Sequence, residues 1–285
     1  MGSLALLLGG QALAAAPAKR PPPAPVPVAY IPTPELLDMQ DGLVKQAVAA
    51  LPARAIGRPN VYALAIAASG RQQLFSREAH LALQVAAQRF GADYRGGLLL
   101  SNGAPDLTRA PLATRGNLLM AADGLARHTD AGQDIAFLYL VSHGGQDASL
   151  ETDLPNLQNF TALNAKALAE ALNIAGVKRR IIIISACFSG GWIPALANDD
   201  TIIIAAARFD RTSFGCDDTR RLTFFGQAFL EGPLAKGASL AEAFEAARQQ
   251  ISGWEAKARL LPSEPQIFVG QNMQALWTAR GPASK

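Results

Sequence analysis

Ile181-Ile182-Ile183-Ile184-Ser185-Ala186-Cys187-Phe188-Ser189-Gly190-Gly191 is the stretch that decides the fold of this chain. Four consecutive isoleucines lie between Lys178-Arg179-Arg180 and a glycine pair. They have the length and β-branched character of a strand buried on both faces, as inside a parallel sheet. In open α/β sheets, ligands and catalytic groups gather at the carboxyl ends of strands, where loops converge over a crevice. Cys187, one of only two cysteines in 285 residues, stands at such an end, where a nucleophile would be.

Outward from this strand, apolar runs alternate with helical spacing. Upstream, strands are expected at Val61 to Ala68, Leu98 to Leu100 and Asp134 to Ser142, with helices at about 34 to 50, Phe75 to Phe90, Thr114 to Arg127 and Thr161 to Ala175. Downstream, Thr201 to Ala207 repeats the buried strand character after the turn residues Asn198-Asp199-Asp200. A helix at Leu222 to Leu230 follows. A second one opens with the capping box Ser239-Leu240-Ala241-Glu242 and runs on through Trp254, and a last strand spans Gln266 to Gly270. Strands separated by helices of this length imply right-handed crossovers, hence an α/β fold with a mostly parallel sheet and helices on both faces. No internal repeat or second domain boundary interrupts residues 35–285.

The first 34 residues read differently. Leu4 to Ala16 is an apolar run ending in small residues, the pattern of a secretory signal at 1–16, although no basic residue precedes it; the alternative is a disordered alanine-rich tail. Its 13 residues are too few to span a bilayer as a helix, so no stable membrane span is expected. Residues 17–34 hold eight of the 18 prolines and read as a stiff linker. Export to a periplasmic or extracellular location follows as the expectation. Nucleic acid is a poor partner for a chain of net charge +3 whose Lys and Arg residues are scattered without interleaved aromatics.

A second strand also ends in a reactive residue. Phe137-Leu138-Tyr139-Leu140-Val141-Ser142 leads into His143-Gly144-Gly145. If the helix at 161 to 175 joins this strand to the isoleucine strand, the two are parallel and end on one rim of the sheet. A histidine beside a cysteine can activate the thiol or protonate a leaving amine. Glycines after each residue let backbone amides approach a developing oxyanion. Structural readings compete: strand-end histidines are often hydrogen-bonded supports, cysteine is often a buried inert residue, and an oxidising compartment could bridge Cys187 to Cys216. Three histidines and two cysteines without paired spacing argue against a metal site.

These residues resemble the legumain-type cysteine peptidases, relatives of the caspases and of the catalytic subunit of the GPI transamidase, and most closely their bacterial members. Four motifs carry the resemblance in order: Val141-Ser142-His143-Gly144, Ser185 to Gly191, Arg211-Thr212-Ser213-Phe214-Gly215-Cys216 and Thr223-Phe224-Phe225-Gly226. It implies a caspase-like fold and cofactor-free hydrolysis of a peptide or protein substrate. Cys187 would be the nucleophile, His143 the general acid, and the amides of Gly144 and Cys187 the oxyanion hole. Arg77 and Ser213 match residues of the specificity pocket. Legumains carry acids at the positions of Ser185 and Gln227, so those two substrate-binding positions depart from the family pattern. A pocket that keeps Arg77 and loses both acids is expected to tolerate Asp, or another acceptor-bearing side chain, before the scissile bond. A catalytically silent peptide-binding protein and a transpeptidase using the same Cys/His pair remain as alternatives.

Overall fold

The computed structural model describes residues 33–156 and 158–282. The expected signal at 1–16, and the 17–34 linker up to residue 32, lie outside the described residues. In chain order the elements begin with α1 (Thr33–Asp38), α2 (Gln40–Ala49), β1 (Val61–Ala67), α3 (Gln73–Phe90), β2 (Tyr94–Ser101) and α4 (Arg115–His128). There follow β3 (Ile135–Val141), the short strands β4 (Gly144–Gly145), β5 (Ser149–Leu150) and β6 (Leu163–Asn164), then α5 (Ala165–Ala175) and β7 (Arg180–Ser185). The chain continues with α6 (Ile193–Leu196), β8 (Thr201–Ala205), α7 (Phe224–Leu230), α8 (Leu240–Ala258), β9 (Gln266–Val269) and α9 (Gln274–Thr278).

Six strands form the central sheet in the order β2-β1-β3-β7-β8-β9, parallel except for the antiparallel edge strand β9. Every residue of β7 is buried, and the isoleucines alternate between the two sides. Ile181 and Ile183 pack with Phe75, Phe225, Phe229 and Phe244, from α3, α7 and α8. Ile182 and Ile184 pack with Leu118, Leu125, Leu168 and Leu172, from α4 and α5. The all-isoleucine run thus serves two cores at once, the reason a central parallel strand shows no polar alternation.

The expected helix at 34 to 50 is two helices, α1 and α2, meeting at Met39. Strand β2 starts at Tyr94, earlier than expected, because Gly96 and Gly97 weakened the apolar signal while pairing along β1 held the backbone extended. The helix expected from 161 begins at Ala165. Asn164 caps it by accepting from the Ala167 amide, and the residues before it belong to a small antiparallel sheet, β4-β5-β6.

That sheet matters for the site. Val141 on β3 pairs with Ser185 on β7, and the Ser142 amide donates to the Ser185 carbonyl at 3.4 Å. His143 and Cys187 are therefore each two residues past a matched pair, on one rim of the sheet. The β4–β5 hairpin then folds back, and the Glu151 amide donates to the His143 carbonyl at 3.0 Å.

Candidate active site

The chain leaves β7 through Ala186 and Cys187 and turns sharply at Phe188, a non-glycine residue in the left-handed region (φ +56°). Such a backbone costs about 1 kcal/mol or more and persists only where surroundings enforce it. Here the Phe188 amide donates to the Arg211 carbonyl at 2.8 Å, and the Gly190 amide to the Ala207 carbonyl at 2.8 Å. The turn lifts Cys187 off the sheet edge. Its thiol reaches a pocket of about 10 Å³ lined by Ser142, His143, Ser185, Ser213, Cys216 and Thr223, among others. That is room for roughly one water.

The Ser213 backbone stands against the sulfur. The Ser213 amide donates to Sγ at 3.3 Å, while the thiol faces the Ser213 carbonyl at 3.5 Å. Burial pushes the Cys187 thiol up, and the amides of Ser213, Gly144 and Cys187 itself pull it down, with a net upward result. Gly144 lies directly on Cys187: a Cβ there would overlap the Cys187 carbonyl oxygen and stand 3.0 Å from its carbonyl carbon. Only a glycine lets these two backbones meet this closely. Both cysteines are free and line the same pocket.

His143 is held by α3. Its ring meets the Phe75 ring edge-on at 5.0 Å between centroids, and its Nε2 lies 2.8 Å from Gln72 Oε1. With the carboxamide oxygen facing it, Nε2 carries the proton and Nδ1 is left as the basic nitrogen. Burial lowers the His143 pKa, Glu151 and Asp153 oppose this, and Arg71 adds to it, leaving it below the usual histidine value. The resting pair is thus an uncharged imidazole and an uncharged thiol. A proton must move before the sulfur becomes a strong nucleophile.

Of the four expected substrate-binding residues, Ser213 and Ser185 line the thiol pocket and the other two do not. Ser185 is only 1% exposed, and its hydroxyl donates to Glu78 Oε1 at 2.7 Å. Arg77 points to the 218–221 segment, donating to Asp218 Oδ1 at 3.3 Å and to the carbonyls of Arg220 and Arg221. Gln227 accepts from Arg220 at 2.5 Å in a separate surface cleft with Phe224 and Trp254. Their charge and hydrogen-bonding needs are met there. Sequence reasoning missed Gln72 and Glu78, and it quoted Thr223 in a family motif without giving it a place in the site. Glu78 left a signal too, being an acid at a core-spaced position between Phe75 and Ala82.

A second histidine–acid pair lies on the other side of α3. His80 Nε2 is 2.9 Å from Asp106 Oδ1, while Ser76 and Ser101 hydroxyls both donate to Asp106 Oδ2. The serines serve the carboxylate and not the imidazole, so the cluster is structural. The hydrogen bond to Asp106 raises the His80 pKa, so its contribution is complete below the ordinary histidine value of about 6.5 and is lost as pH rises through the raised value. Asp106 is held low despite burial, by bonds to His80, Ser101 and Ser76, so its contribution fails only in acid, as pH falls through the depressed value. His80→Gln is expected to lower the melting temperature at pH 5.5 and to leave it nearly unchanged at pH 8.5. Equal losses at both pH values would refute the linkage.

The fold and the motifs find matching relatives. The chain resembles the crystal structure of caspase-1 from Spodoptera frugiperda with a TM-score of 0.50 at 14% identity, covering 77% of this chain and 89% of that one. A likeness this distant shows the caspase-like fold alone. No curated protein matches the chain at a significant level. The sequence profile of the Peptidase C13 family matches residues 119–275, more than half of the chain, a span that includes both strand ends and the segment that clasps the thiol. A parallel sheet ending in His-Gly and Ala-Cys on one rim, inside that match, makes this chain a member of the Peptidase C13 family, a family of cysteine peptidases.

Proposed function

We propose that the protein is a cysteine endopeptidase in which Cys187 attacks the scissile carbonyl and His143 moves the protons. The observation that carries this reading is that Cys187 and His143 end neighbouring parallel strands on one rim, with the Ser213 amide donating to the Cys187 sulfur at 3.3 Å and the Gly144 backbone packed directly on that of Cys187. When substrate enters, Nδ1 of His143 takes the thiol proton as the sulfur–carbon bond forms. The carbonyl oxygen gains the electron pair and is met by the Gly144 and Cys187 amides, each such donor contributing about 3 to 4 kcal/mol in acyl-transfer enzymes. The imidazolium then gives its proton to the leaving amine as the carbon–nitrogen bond breaks, and a thioester remains. Water attacks the thioester, losing its proton to His143, and the thiol is restored when the sulfur leaves and takes that proton back. An amine in place of water would make the same site a transpeptidase.

The proline-rich segment and the apolar Leu4 to Ala16 run support placing the mature enzyme outside the cytoplasm. Among the described residues no helix is long and apolar enough to cross a membrane.

Incubation with a mixed peptide library, read by mass spectrometry, tests the activity. Internal cleavage sites, together with covalent labelling of Cys187 by a peptidyl acyloxymethyl ketone, are the expected result. Absence of both would refute the peptidase reading, and joined rather than cleaved peptides would make transfer the main reaction.

A further inference from the structure

The pocket beside Cys187 holds a second sulfur, and the hydrolytic steps proposed above leave it idle. Cys216 and Cys187 are the only two cysteines of the chain, both are free and half-buried, and both line one cavity of about 10 Å³. A space with room for roughly one water keeps the groups around it close together. The proximity has an electrostatic trace: burial raises the Cys216 thiol pKa, and the neighbouring Cys187 adds to the rise.

The backbone ties the Cys216 segment to the nucleophile without fixing it in regular structure. The Ser213 amide and carbonyl meet the Cys187 sulfur at 3.3 and 3.5 Å, three residues before Cys216. On one side the Phe188 amide donates to the Arg211 carbonyl at 2.8 Å, and on the other the Phe224 amide donates to the Phe214 carbonyl at 2.9 Å. Residues 211–216 form no helix or strand, and Gly215 stands in the left-handed region at φ +80°. A disulfide needs Cα atoms about 4.4 to 6.8 Å apart, so closing one draws Cys216 across the one-water gap, a shift that irregular backbone with a glycine can make.

We infer that Cys187 and Cys216 form a reversible redox pair, in which a peroxide oxidises the nucleophile and Cys216 captures it as an intramolecular disulfide. The Cys187 sulfur attacks one peroxide oxygen, the O–O bond breaks, and the departing hydroxide takes the thiol proton as water. Cys187 is then a sulfenic acid. Cys216 attacks that sulfur, the S–O bond breaks, and the departing hydroxide takes the Cys216 proton as a second water. A small dithiol reverses the bridge by exchange and is itself oxidised to a disulfide. Without Cys216 the sulfenic acid stays open to a second peroxide and to the irreversible sulfinic state. The inference rests on Cys187 being the reactive thiol of the site proposed above and adds its regulation: the bridge occupies the sulfur, so hydrolysis stops while it lasts.

Full-length protein, reduced and freed of reductant, is treated with hydrogen peroxide and digested with trypsin without reduction. The expected product is one peptide pair, Ile181–Arg208 linked to Thr212–Arg220, in a monomer about 2 Da lighter than the reduced chain. Iodoacetamide labelling of Cys187 is expected to fall more than about tenfold and to return with dithiothreitol. In Cys216→Ala the same treatment is expected to leave Cys187 about 32 Da heavier, as sulfinic acid, with labelling that dithiothreitol does not restore. Should Cys216→Ala fail to fold, the wild-type peptide pair carries the test alone. Cys187 oxidised without the link, a link between two molecules, no oxidation of either cysteine, or full recovery of labelling in Cys216→Ala overturns the inference. These readouts are masses and labelling, independent of cleavage. A bridge in a protein that neither cleaves peptides nor takes up the ketone probe when reduced overturns the peptidase reading and leaves the redox pair standing, whereas cleavage without a bridge does the reverse.

Discussion

Cys187→Ala is expected to lower peptide hydrolysis by about 10⁴-fold or more, the scale on which hydrolases lose activity when their nucleophile is removed. The reason lies in the order of events at the β3–β7 rim. Sulfur provides the only route to a thioester there, since the pocket's hydroxyls on Ser185 and Thr223 are bonded to the Glu78 carboxylate and not to His143. Without the thiol, His143 would have to activate water directly against an amide, with only the oxyanion donors to help. The substitution leaves the fold alone: Cys187 is partly buried, and its side chain bonds only to the backbone of Ser213. An unchanged melting temperature with lost hydrolysis and lost probe labelling is therefore the expected pair of results. Residual activity within tenfold of wild type would remove Cys187 from the mechanism. Cys216→Ala gives the matching control, since labelling that persists in that variant assigns the reactive thiol to Cys187.

The neutral resting state of the pair bears on how this activity would be switched on. Burial raises the Cys187 thiol and lowers the His143 imidazole, so neither is charged near neutral pH. The Ser213 backbone stands against the sulfur, so a proton must leave the thiol and that contact must change before the sulfur can reach a scissile carbonyl.

How much of this could be read from the chain follows from the range of each interaction. The isoleucine strand was legible because burial on both faces leaves no polar alternation, and Cys187 stood at its end in plain view. The placement of His143 and Cys187 on one rim was also legible, since neighbouring parallel strands end on the same side of the sheet. Local signals failed where glycine broke a pattern, as in β2, and where two-residue strands carry no periodicity, as in the sheet after His143. The larger miss was long-range. Ser185 reads in sequence as a lost acid, yet folding brings the Glu78 carboxylate to its hydroxyl from 107 residues away. Arg77 reads as a pocket cation, and the fold gives it to Asp218. Nothing local to either position announces those partners, because α3 meets them only once it has docked on the sheet.

Gly144→Ala is the second substitution with a large expected effect, and it separates the oxyanion reading from the fold. A methyl group at this position would overlap the Cys187 carbonyl oxygen and lie 3.1 Å from the Cys187 amide nitrogen. These are backbone atoms, so no side-chain rotation relieves the overlap, and the two strand ends must move apart. Overpacking of this kind costs about 1 to 3 kcal/mol of stability. The catalytic cost is expected to be larger. Spreading the rim withdraws the Gly144 amide from the site of the developing oxyanion, and loss of one such donor slows acyl transfer by about 10² to 10³-fold. Measured together, kcat should fall by that factor while KM changes little, because the donor acts on the transition state and not on the bound peptide. A lower melting temperature with kcat intact would leave Gly144 as a packing residue only, and the oxyanion would then have to be held by the Cys187 and Ser213 amides.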